Sequence, residues 1–325
     1  MGVGVAGTLG RLLGRRERLH SAHYEQVLGT ALELRVWHLG SEAGPRAEAA
    51  VLAEVDRLEA VFSAYLPSSE FRRWQETWDQ EVPVSEELAT LLEMSELWRG
   101  RSGGAFNPAV DALTRLWKEA SARDVAPDRC ELASVVTGLG QPLWSVDRES
   151  GTARRLTRFP AALNSVAKGY IADRACQAAA LVPGVKRVLV NLGGDLRHWG
   201  DAPVRVAIAD PFAPADNAPP VATVLLRNQG LAASGNYHRG FKLGDRWLSH
   251  LIDPRRGSPV DHVVSASVIA GSVALADLLA TVFSVLTTAE SLALADSLPA
   301  VGLLLLGADG SCCRNAAWDA QAEGA

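Results

Sequence analysis

The sequence predicts an α+β fold with an antiparallel or mixed sheet and flanking helices. Segments that alternate polar and apolar residues, such as 30–37, predict strands, and segments whose apolar residues recur every three or four positions, such as 51–65, predict helices. The two kinds of segment do not alternate regularly, as they would in a doubly wound parallel sheet. With 325 residues, 48% of them hydrophobic, the chain is long and apolar enough for one large or two modest globular domains.

Three helices follow the first strand in the N-terminal half of the chain. The first is the segment at 51–65, whose apolar residues share one face. The second begins after Ser85, a favourable N-cap residue followed by two glutamates in the first turn. Asn107 as N-cap and Pro108 as first helical residue predict the start of the third. The pattern between 121 and 160 is weak and predicts no element.

The C-terminal half combines short apolar strands with two helices. The predicted elements, in chain order, are a helix at 167–181, strands at 187–191, 204–208 and 221–226, a hairpin region at 231–253, a strand at 263–270, a helix at 272–289 and a strand at 301–306. The apolar stretch between His262 and Glu290 could span a bilayer in length, but it contains Asp277. A carboxylate in mid-membrane costs about 2.5 to 3.5 kcal/mol, so a strand and a helix are predicted instead of a span.

Composition and charge exclude several classes of function. The net charge is −5 and no long basic stretch occurs, which argues against a nucleic-acid-binding protein. The four cysteines form no C-x-x-C pattern, so neither a disulfide framework nor a zinc site is predicted. At the N-terminus the apolar residues precede Arg15 and Arg16, the reverse of a secretory signal. The expected compartment is therefore the cytoplasm, with the periplasm as the alternative.

Three segments carry groups that suit catalysis or ligand binding. His250 stands three residues before Asp253, as a base and its orienting carboxylate could, although a hydrogen-bonded surface histidine is the alternative. Asp277 and Thr281 lie one helical turn apart and offer oxygen ligands for Mg²⁺, although an arginine or a helix N-terminus could also partner a buried carboxylate. Lys168 follows a small polar loop that opens a helix, where backbone N–H groups attract phosphate.

Two glycine turns complete the set of motifs. Residues 102–108 lead into the third helix, and an ordinary helix–loop–helix corner is the alternative interpretation there. Residues 191–195 lack the G-x-G-x-x-G pattern of a dinucleotide-binding fold.

In chain order, six motifs resemble those of the ApbE family of FAD:protein FMN transferases: Gly-Ala-Phe-Asn-Pro, Val-Ala-Lys-Gly-Tyr, Asn-Leu-Gly-Gly-Asp, Ser-Gly-Asn-Tyr, His-Leu-Ile-Asp-Pro-Arg-Arg-Gly and Ala-Asp-Leu-Leu-Ala-Thr.

The resemblance covers roughly residues 24–307 and implies a fold, a reaction and a set of site residues. It implies one domain at 24–310 with an FAD cleft between two interleaved lobes, a flexible N-terminal extension at 1–23 and a C-terminal tail at 311–325. Members of the family use Mg²⁺ and move the FMN moiety of FAD onto a threonine hydroxyl of an acceptor flavoprotein, releasing AMP. By similarity, Mg²⁺ ligands are expected at Ser165, Asp277, Ala280 (through its carbonyl) and Thr281; FAD contacts at Leu28, Tyr65, Ala105, Phe106, Asn107, Lys168 and Ile252; and catalytic residues at His250, as the base, and Asp253.

Two positions depart from the family pattern. Ala162 stands where an aspartate is usual, and Asn107-Pro108-Ala109 stands where Asp-x-Thr is usual. Two alternative functions therefore stay open beside the transferase. One is a Mg²⁺-dependent FAD pyrophosphatase, in which water replaces threonine and FAD gives FMN and AMP. The other is a protein that binds FAD without turnover, which the departures at Ala162 and Asn107 would permit.

Overall fold

A computed structural model describes residues 17–213, 218–235 and 240–322. Strands in this part of the chain range from two to ten residues. They are β1 (Arg18–Val27), β2 (Thr30–His38), β3 (Glu81–Pro83), β4 (Trp144–Asp147), β5 (Thr152–Arg155), β6 (Val185–Leu192), β7 (Asp195–Gly200), β8 (Val204–Ile208), β9 (Ala222–Leu226), β10 (Gly230–Gly235), β11 (Gly240–Leu243), β12 (Arg246–Ser249), β13 (Ile252–Asp253), β14 (Ser258–Pro259), β15 (Val263–Ala270), β16 (Gly302–Gly307) and β17 (Cys312–Arg314).

The helices lie mostly in the segment between β2 and β6 and in the segment between β15 and β16. They are α1 (Ala43–Phe62), α2 (Glu70–Glu76), α3 (Glu86–Arg101), α4 (Asp111–Arg123), α5 (Arg129–Leu139), α6 (Asn164–Ala180), α7 (Val273–Phe283), α8 (Thr288–Asp296) and α9 (Ala316–Asp319). The predicted α+β class is confirmed, because helices and strands are both abundant and do not alternate as βα units.

An eight-stranded sheet organises the described residues, in the order β1-β2-β6-β7-β10-β15-β16-β17. Every neighbouring pair in it is antiparallel. Helices α1, α6 and α7 pack together, and the buried apolar residues of α6 and α7 join those of the sheet in the main hydrophobic core. Such a sheet can bury one face under helices, which leaves the strand and helix ends to build a site.

Several predicted elements are confirmed, and three need correction. The third helix begins at Asp111 and not at Pro108, because Asn107 uses its side-chain oxygen to accept the N–H of Ala109 in a tight turn. The helix predicted at 272–289 is two helices, since Thr287 and Glu290 form a capping box that starts α8. The weakly patterned segment 121–160 contains α5, β4 and β5.

Both chain ends contribute structure within the described residues. Residues 18–23, predicted to belong to a flexible extension, pair with β2 as part of β1. In the predicted C-terminal tail, β17 pairs with β16, and the side chain of Trp318 in α9 is fully buried. The stretch 263–283 forms β15 followed by α7, as predicted. Among the residues that the structure describes, we find no helix with both the length and the apolar character needed to cross a membrane.

Two glycines allow α7 to approach its neighbours closely. A Cβ atom on Gly169 of α6 would lie 2.6 Å from the carbonyl oxygen of Val273, and one on Gly230 of β10 would lie 2.5 Å from the amide nitrogen of the same residue. The first turn of α7 is therefore wedged between α6 and β10. This packing fixes the position of Asp277, which lies one turn further along α7.

Candidate active site

A cavity of about 600 Å³ lies where α4, α6 and α7 meet the end of β10, a size typical of ligand sites. Nine of the residues expected at the functional site line it, from four separate stretches of the chain. They are Ala105, Phe106, Asn107, Ser165, Lys168, His250, Ile252, Asp277 and Thr281. The fold therefore brings together the first, second, fifth and sixth motifs of the resemblance, together with the described part of the fourth.

Four expected site residues lie outside this cavity lining. Leu28 lines a separate cavity of about 540 Å³ between the β1–β2 turn and α1, and Tyr65 is 85% exposed. Ala280 is fully buried, and its carbonyl oxygen accepts hydrogen bonds from both the amide and the hydroxyl of Ser284. Asp253 is buried beside the cavity. Of the Ser-Gly-Asn-Tyr motif, Ser234 and Gly235 line the cavity, and positions 236–237 lie outside the described residues.

The carboxylate of Asp277 is the most unusual group in the cavity wall. It is only 9% exposed, and its Oδ2 atom has no hydrogen-bond partner among the described residues. Burial, followed by the nearby carboxylate of Asp195, raises the pKa of Asp277 well above its usual range, while Lys168 acts in the opposite direction. A buried carboxylate oxygen without a hydrogen bond is costly and indicates a missing partner.

The position of Asp277 is set by the N-terminus of α7. The two oxygens of Asp173, on α6, accept the N–H groups of Val273 and Ala274 at 3.0 Å each. Ser272 caps the same helix by accepting the N–H of Leu275. Both contacts satisfy donors that a helix start otherwise leaves free. Helix α7 is thus anchored to α6, which carries Ser165 and Lys168.

Asp195 is a site residue that sequence reasoning missed. It belongs to the Asn-Leu-Gly-Gly-Asp motif, to which no chemical role was assigned. The Nζ atom of Lys168 lies 3.1 Å from its Oδ2, and Asp195 is 2% exposed. Burial raises the pKa of Asp195, whereas Lys168 lowers it. The available signal was the motif itself, since a Gly-Gly turn can place the next residue at the start of a buried strand.

The donor set suits a hard cation such as Mg²⁺. Ser165 and Thr281, which carry hydroxyl groups, line the same cavity as Asp277, whose Oδ2 has no hydrogen-bond partner among the described residues. No three His, Cys, Asp or Glu side chains in the described part of the chain are placed to hold a metal ion together. A cation at this site would therefore be held by one or two carboxylates, hydroxyls and water, which is the usual manner for Mg²⁺ and not for zinc.

The two positions that depart from the family pattern are neighbours on one wall of the cavity. The amide of Ala162 donates to the carbonyl of Pro108 at 2.8 Å, which joins the two segments. The side chain of Asn107 is 5% exposed and is used within the protein: Nδ2 donates to the carbonyl of Leu139 and Oδ1 accepts from the amide of Ala109. This wall therefore offers few free polar side-chain atoms to a ligand.

The segment that carries His250 is braced by the turn that follows it. Arg255 donates to both carboxylate oxygens of Asp253, with the shortest contact at 2.8 Å, and it approaches Glu290 at 3.3 Å. The backbone of Gly257 accepts a hydrogen bond from Trp117 on α4. Asp253 therefore acts on the shape of this turn, and its carboxylate is engaged by Arg255. His250 itself lines the cavity and is partly exposed.

Fold and site together define an α+β protein with an antiparallel main sheet and a ligand-sized cavity whose polar wall suits an anion and a hard cation. The model of the ApbE family matches residues 28–305, and the chain belongs to that family. A relative from Rhodobacter capsulatus, named FAD:protein FMN transferase, is 34% identical over 270 residues. That match covers 80% of this chain and 50% of the relative, so the chain spans half the relative's length.

A second relative and two solved structures agree with this assignment. The FAD:protein FMN transferase of Treponema pallidum is 30% identical over 333 residues, covering 94% of this chain and 88% of the relative. The crystal structure of the ApbE protein from Thermotoga maritima superposes with a TM-score of 0.80 at 24% identity, covering 94% of this chain and all of the other. The apo form of Pseudomonas stutzeri flavinyl transferase ApbE gives 0.79 at 23% identity, covering 94% and 97%. At these identities, the two structures establish the fold.

Proposed function

We propose that this chain is an FAD:protein FMN transferase that uses Mg²⁺ and a threonine hydroxyl of an acceptor flavoprotein. The observation that carries the proposal is the buried Oδ2 of Asp277, which has no hydrogen-bond partner among the described residues, in a residue that lines the cavity together with Lys168, Ser165 and Thr281. A dianionic diphosphate with a bound cation would satisfy all these groups at once. The relatives from Rhodobacter capsulatus and Treponema pallidum carry the name of this activity.

In the proposed reaction the acceptor's threonine oxygen forms a bond to the phosphorus on the FMN side of FAD. The bond between that phosphorus and the bridging oxygen breaks, and AMP leaves with the bridging oxygen and its electron pair. The threonine proton passes to His250, which lines the cavity. A general base of this kind contributes about 10²- to 10⁴-fold to the rate. The product is a phosphodiester that links FMN to the acceptor.

The residues around Asp277 have distinct proposed roles. Asp277, Thr281 and Ser165 would hold Mg²⁺, which when bound supplies electrostatic stabilisation to the charge that develops on the diphosphate oxygens. The carbonyl of Ala280 is a weaker candidate ligand, because it already accepts two hydrogen bonds from Ser284. Lys168 adds a positive charge at the same wall. Among the described residues no side chain caps the start of α6, and the N-terminus of a helix favours phosphate.

The remaining expected contacts describe how FAD would be held. Ala105, Phe106 and Ile252 give the cavity an apolar wall for a flat ring, and Asn107 would contribute through its surface and not through free polar atoms. Leu28 and Tyr65 would contact FAD only where the ligand extends beyond this cavity.

One assay tests the proposal. The protein is incubated with FAD, Mg²⁺ and an acceptor flavoprotein domain that carries a target threonine. AMP release is measured, and flavin fluorescence is recorded on the denatured acceptor. Covalent flavin together with AMP supports the transferase, and an acceptor with its threonine replaced by valine is the control. AMP without covalent flavin would replace the proposal with FAD pyrophosphatase activity. Bound FAD without AMP would replace it with a non-catalytic FAD-binding protein.

A further inference from the structure

The ion pair between Lys168 and Asp195 is highly asymmetric. The Asp195 carboxylate is 2% exposed, whereas the Lys168 side chain is about one third exposed and lines the cavity. Their 3.1 Å approach is an ion pair without the alignment of a good hydrogen bond. The lysine is further limited by the carbonyl of Gly193, at 3.5 Å from Nζ. A buried carboxylate thus lies behind a lysine that faces the ligand space.

The position of Asp195 is fixed by its hairpin. Gly193 and Gly194 form the two-residue turn between β6 and β7, both with positive φ, as this turn type requires. The side chain of Asn191 accepts the N–H of Gly194 and closes the turn. Asp195 is therefore the first residue of β7 and has little freedom to follow the lysine. The strand positions the carboxylate, and the carboxylate positions the lysine.

Lys168 has a second acidic neighbour. Asp277 is close enough for the charge of Lys168 to act on it, and its Oδ2 has no hydrogen bond in the described part of the chain. A lysine has three donors on a flexible stem and moves readily to another carboxylate. If Lys168 turned to Asp277, it would occupy the oxygen that the proposed cation needs. Binding of the proposed cation therefore requires that Lys168 be held away from Oδ2 of Asp277.

We propose that Asp195 is a positioning residue for Lys168: it retains the ammonium group at the cavity wall, where the lysine can meet the diphosphate, and keeps it from Asp277. This inference rests on the proposed function. Through its contact with Lys168, Asp195 is expected to affect two quantities: the affinity for FAD and the concentration of Mg²⁺ that the reaction requires. Asp195 itself touches neither the substrate nor the reacting atoms in this assignment.

The test compares Asp195→Asn with the unchanged protein. FAD binding without metal is measured by quenching of flavin fluorescence, and activity is measured over a range of Mg²⁺ concentrations. We expect the dissociation constant of FAD and the half-saturating Mg²⁺ concentration each to rise about tenfold, the scale of a lost charged contact. The kcat at saturation of both should stay within about threefold, because no reacting group is changed.

Lys168→Met provides the partner for a double-mutant cycle. It should weaken FAD binding but leave the Mg²⁺ requirement unchanged, since no ammonium group competes for Asp277. Adding Asp195→Asn to Lys168→Met should change the dissociation constant of FAD by less than about twofold, because Asp195 acts on FAD through the lysine. The Mg²⁺ requirement should rise less than it does in Asp195→Asn alone, because no lysine is left to turn to Asp277. Asp195→Asn leaves unpaired only the Lys168 ammonium group, which is about one third exposed, so this variant should fold. Lys168→Met leaves the buried Asp195 carboxylate unpaired, and the double variant leaves neither charge.

Arg197→Gln is the matched structural control. It removes a second ion pair between α6 and β7, from Arg197 to Asp173 at 3.2 Å, two residues along the same strand. It keeps the Asp173 carboxylate, which anchors α7. If Arg197→Gln raised the Mg²⁺ requirement as much as Asp195→Asn, general loosening of α6 against β7 would explain both, and the inference would be wrong. Unchanged FAD binding and Mg²⁺ requirement in Asp195→Asn would also overturn it. If the unchanged protein neither binds nor consumes FAD, the proposed function fails instead.

Discussion

Replacing Asp277 by asparagine should separate the stability of this protein from its response to Mg²⁺. Asparagine keeps the size of the side chain but removes the negative charge that the cation would require. In the metal-free protein this change removes a buried carboxylate that lies close to Asp195 and whose Oδ2 has no hydrogen bond to any residue that the structure describes. Relief of desolvation and of like-charge repulsion should make metal-free Asp277→Asn at least as stable as the unchanged protein.

The expected size of the metal response follows from mass action. A cation at a hundred times its dissociation constant adds about 2.7 kcal/mol to the free energy of unfolding. Unfolding entropy of about 2.1 cal/mol/K per residue amounts to about 0.7 kcal/mol/K for 325 residues. The unchanged protein should therefore gain about 4 °C in Tm. Asp277→Asn should gain less than about 1 °C at the same Mg²⁺ concentration, because the main ligand is lost.

Scanning calorimetry in EDTA and in saturating MgCl₂ measures both quantities on the same samples. CaCl₂ at equal ionic strength and a sodium chloride control separate specific binding from charge screening. An equal rise in Tm for both proteins would refute the assignment of Asp277 as a metal ligand. A lower Tm for Asp277→Asn in EDTA would refute the claim that its carboxylate is strained in the absence of a cation.

Three further predictions test other parts of the structure. Burial, followed by Arg187 and Arg197, lowers the pKa of His198 to about 4 from 6.5. The unfolded chain therefore binds the proton more readily, and the free energy of unfolding should fall by up to about 3 kcal/mol between pH 6.5 and 4. Urea titrations across that range should show this loss in the unchanged protein but not in His198→Gln, and parallel pH curves would contradict it. Gly169→Ala should destabilise the fold by about 1 to 3 kcal/mol and reduce transfer, since its methyl group would collide with α7. Gly100→Ala is the control: it has open space around it and should be neutral or stabilising in thermal unfolding. His250→Gln should slow transfer by about 10²- to 10⁴-fold with FAD binding within about twofold in fluorescence titration, and a large loss of binding would point to a role in holding FAD instead.

Much of the fold was predictable because the local patterns agree with the final packing. The alternation at 30–37 became β2, the second strand from one edge of the main sheet, and Ser85 caps α3 by accepting the N–H of Leu88. The predictions were wrong where a side chain bonds to its own neighbourhood. Asparagine is a favourable N-cap residue, but Asn107 closes a separate turn, three residues before Val110, which is the N-cap of α4. An asparagine side chain can cap a helix or close such a turn, so the residue type alone does not show which it does.

The site was predictable to the extent that motif residues share the cavity. Spacing on one helix places Asp277 and Thr281 on the same side, so their common exposure to the cavity needed no long-range information. The ion pair of Lys168 with Asp195 depends on how α6 lies across the β6–β7 hairpin, which no local pattern specifies. Arg255 binds the carboxylate of Asp253 from only two residues away. The three-residue spacing between His250 and Asp253 could not predict that this carboxylate would bind the arginine.

The strand order has a consequence for synthesis of this chain. Strand β2 cannot pair with β6 until β6 has been synthesised. Residue 34 pairs with residue 190, and about 150 residues separate the two strands. At a translation rate of about 5 to 20 residues per second, the β1–β2 ribbon emerges roughly 8 to 30 s before its partner. During that interval Leu32, Leu34 and Val36, all at most 1% exposed in the finished protein, have no sheet to cover them. Nascent chains of this protein should therefore bind ribosome-associated chaperones from the N-terminal ribbon onward, long before the ligand cavity can exist.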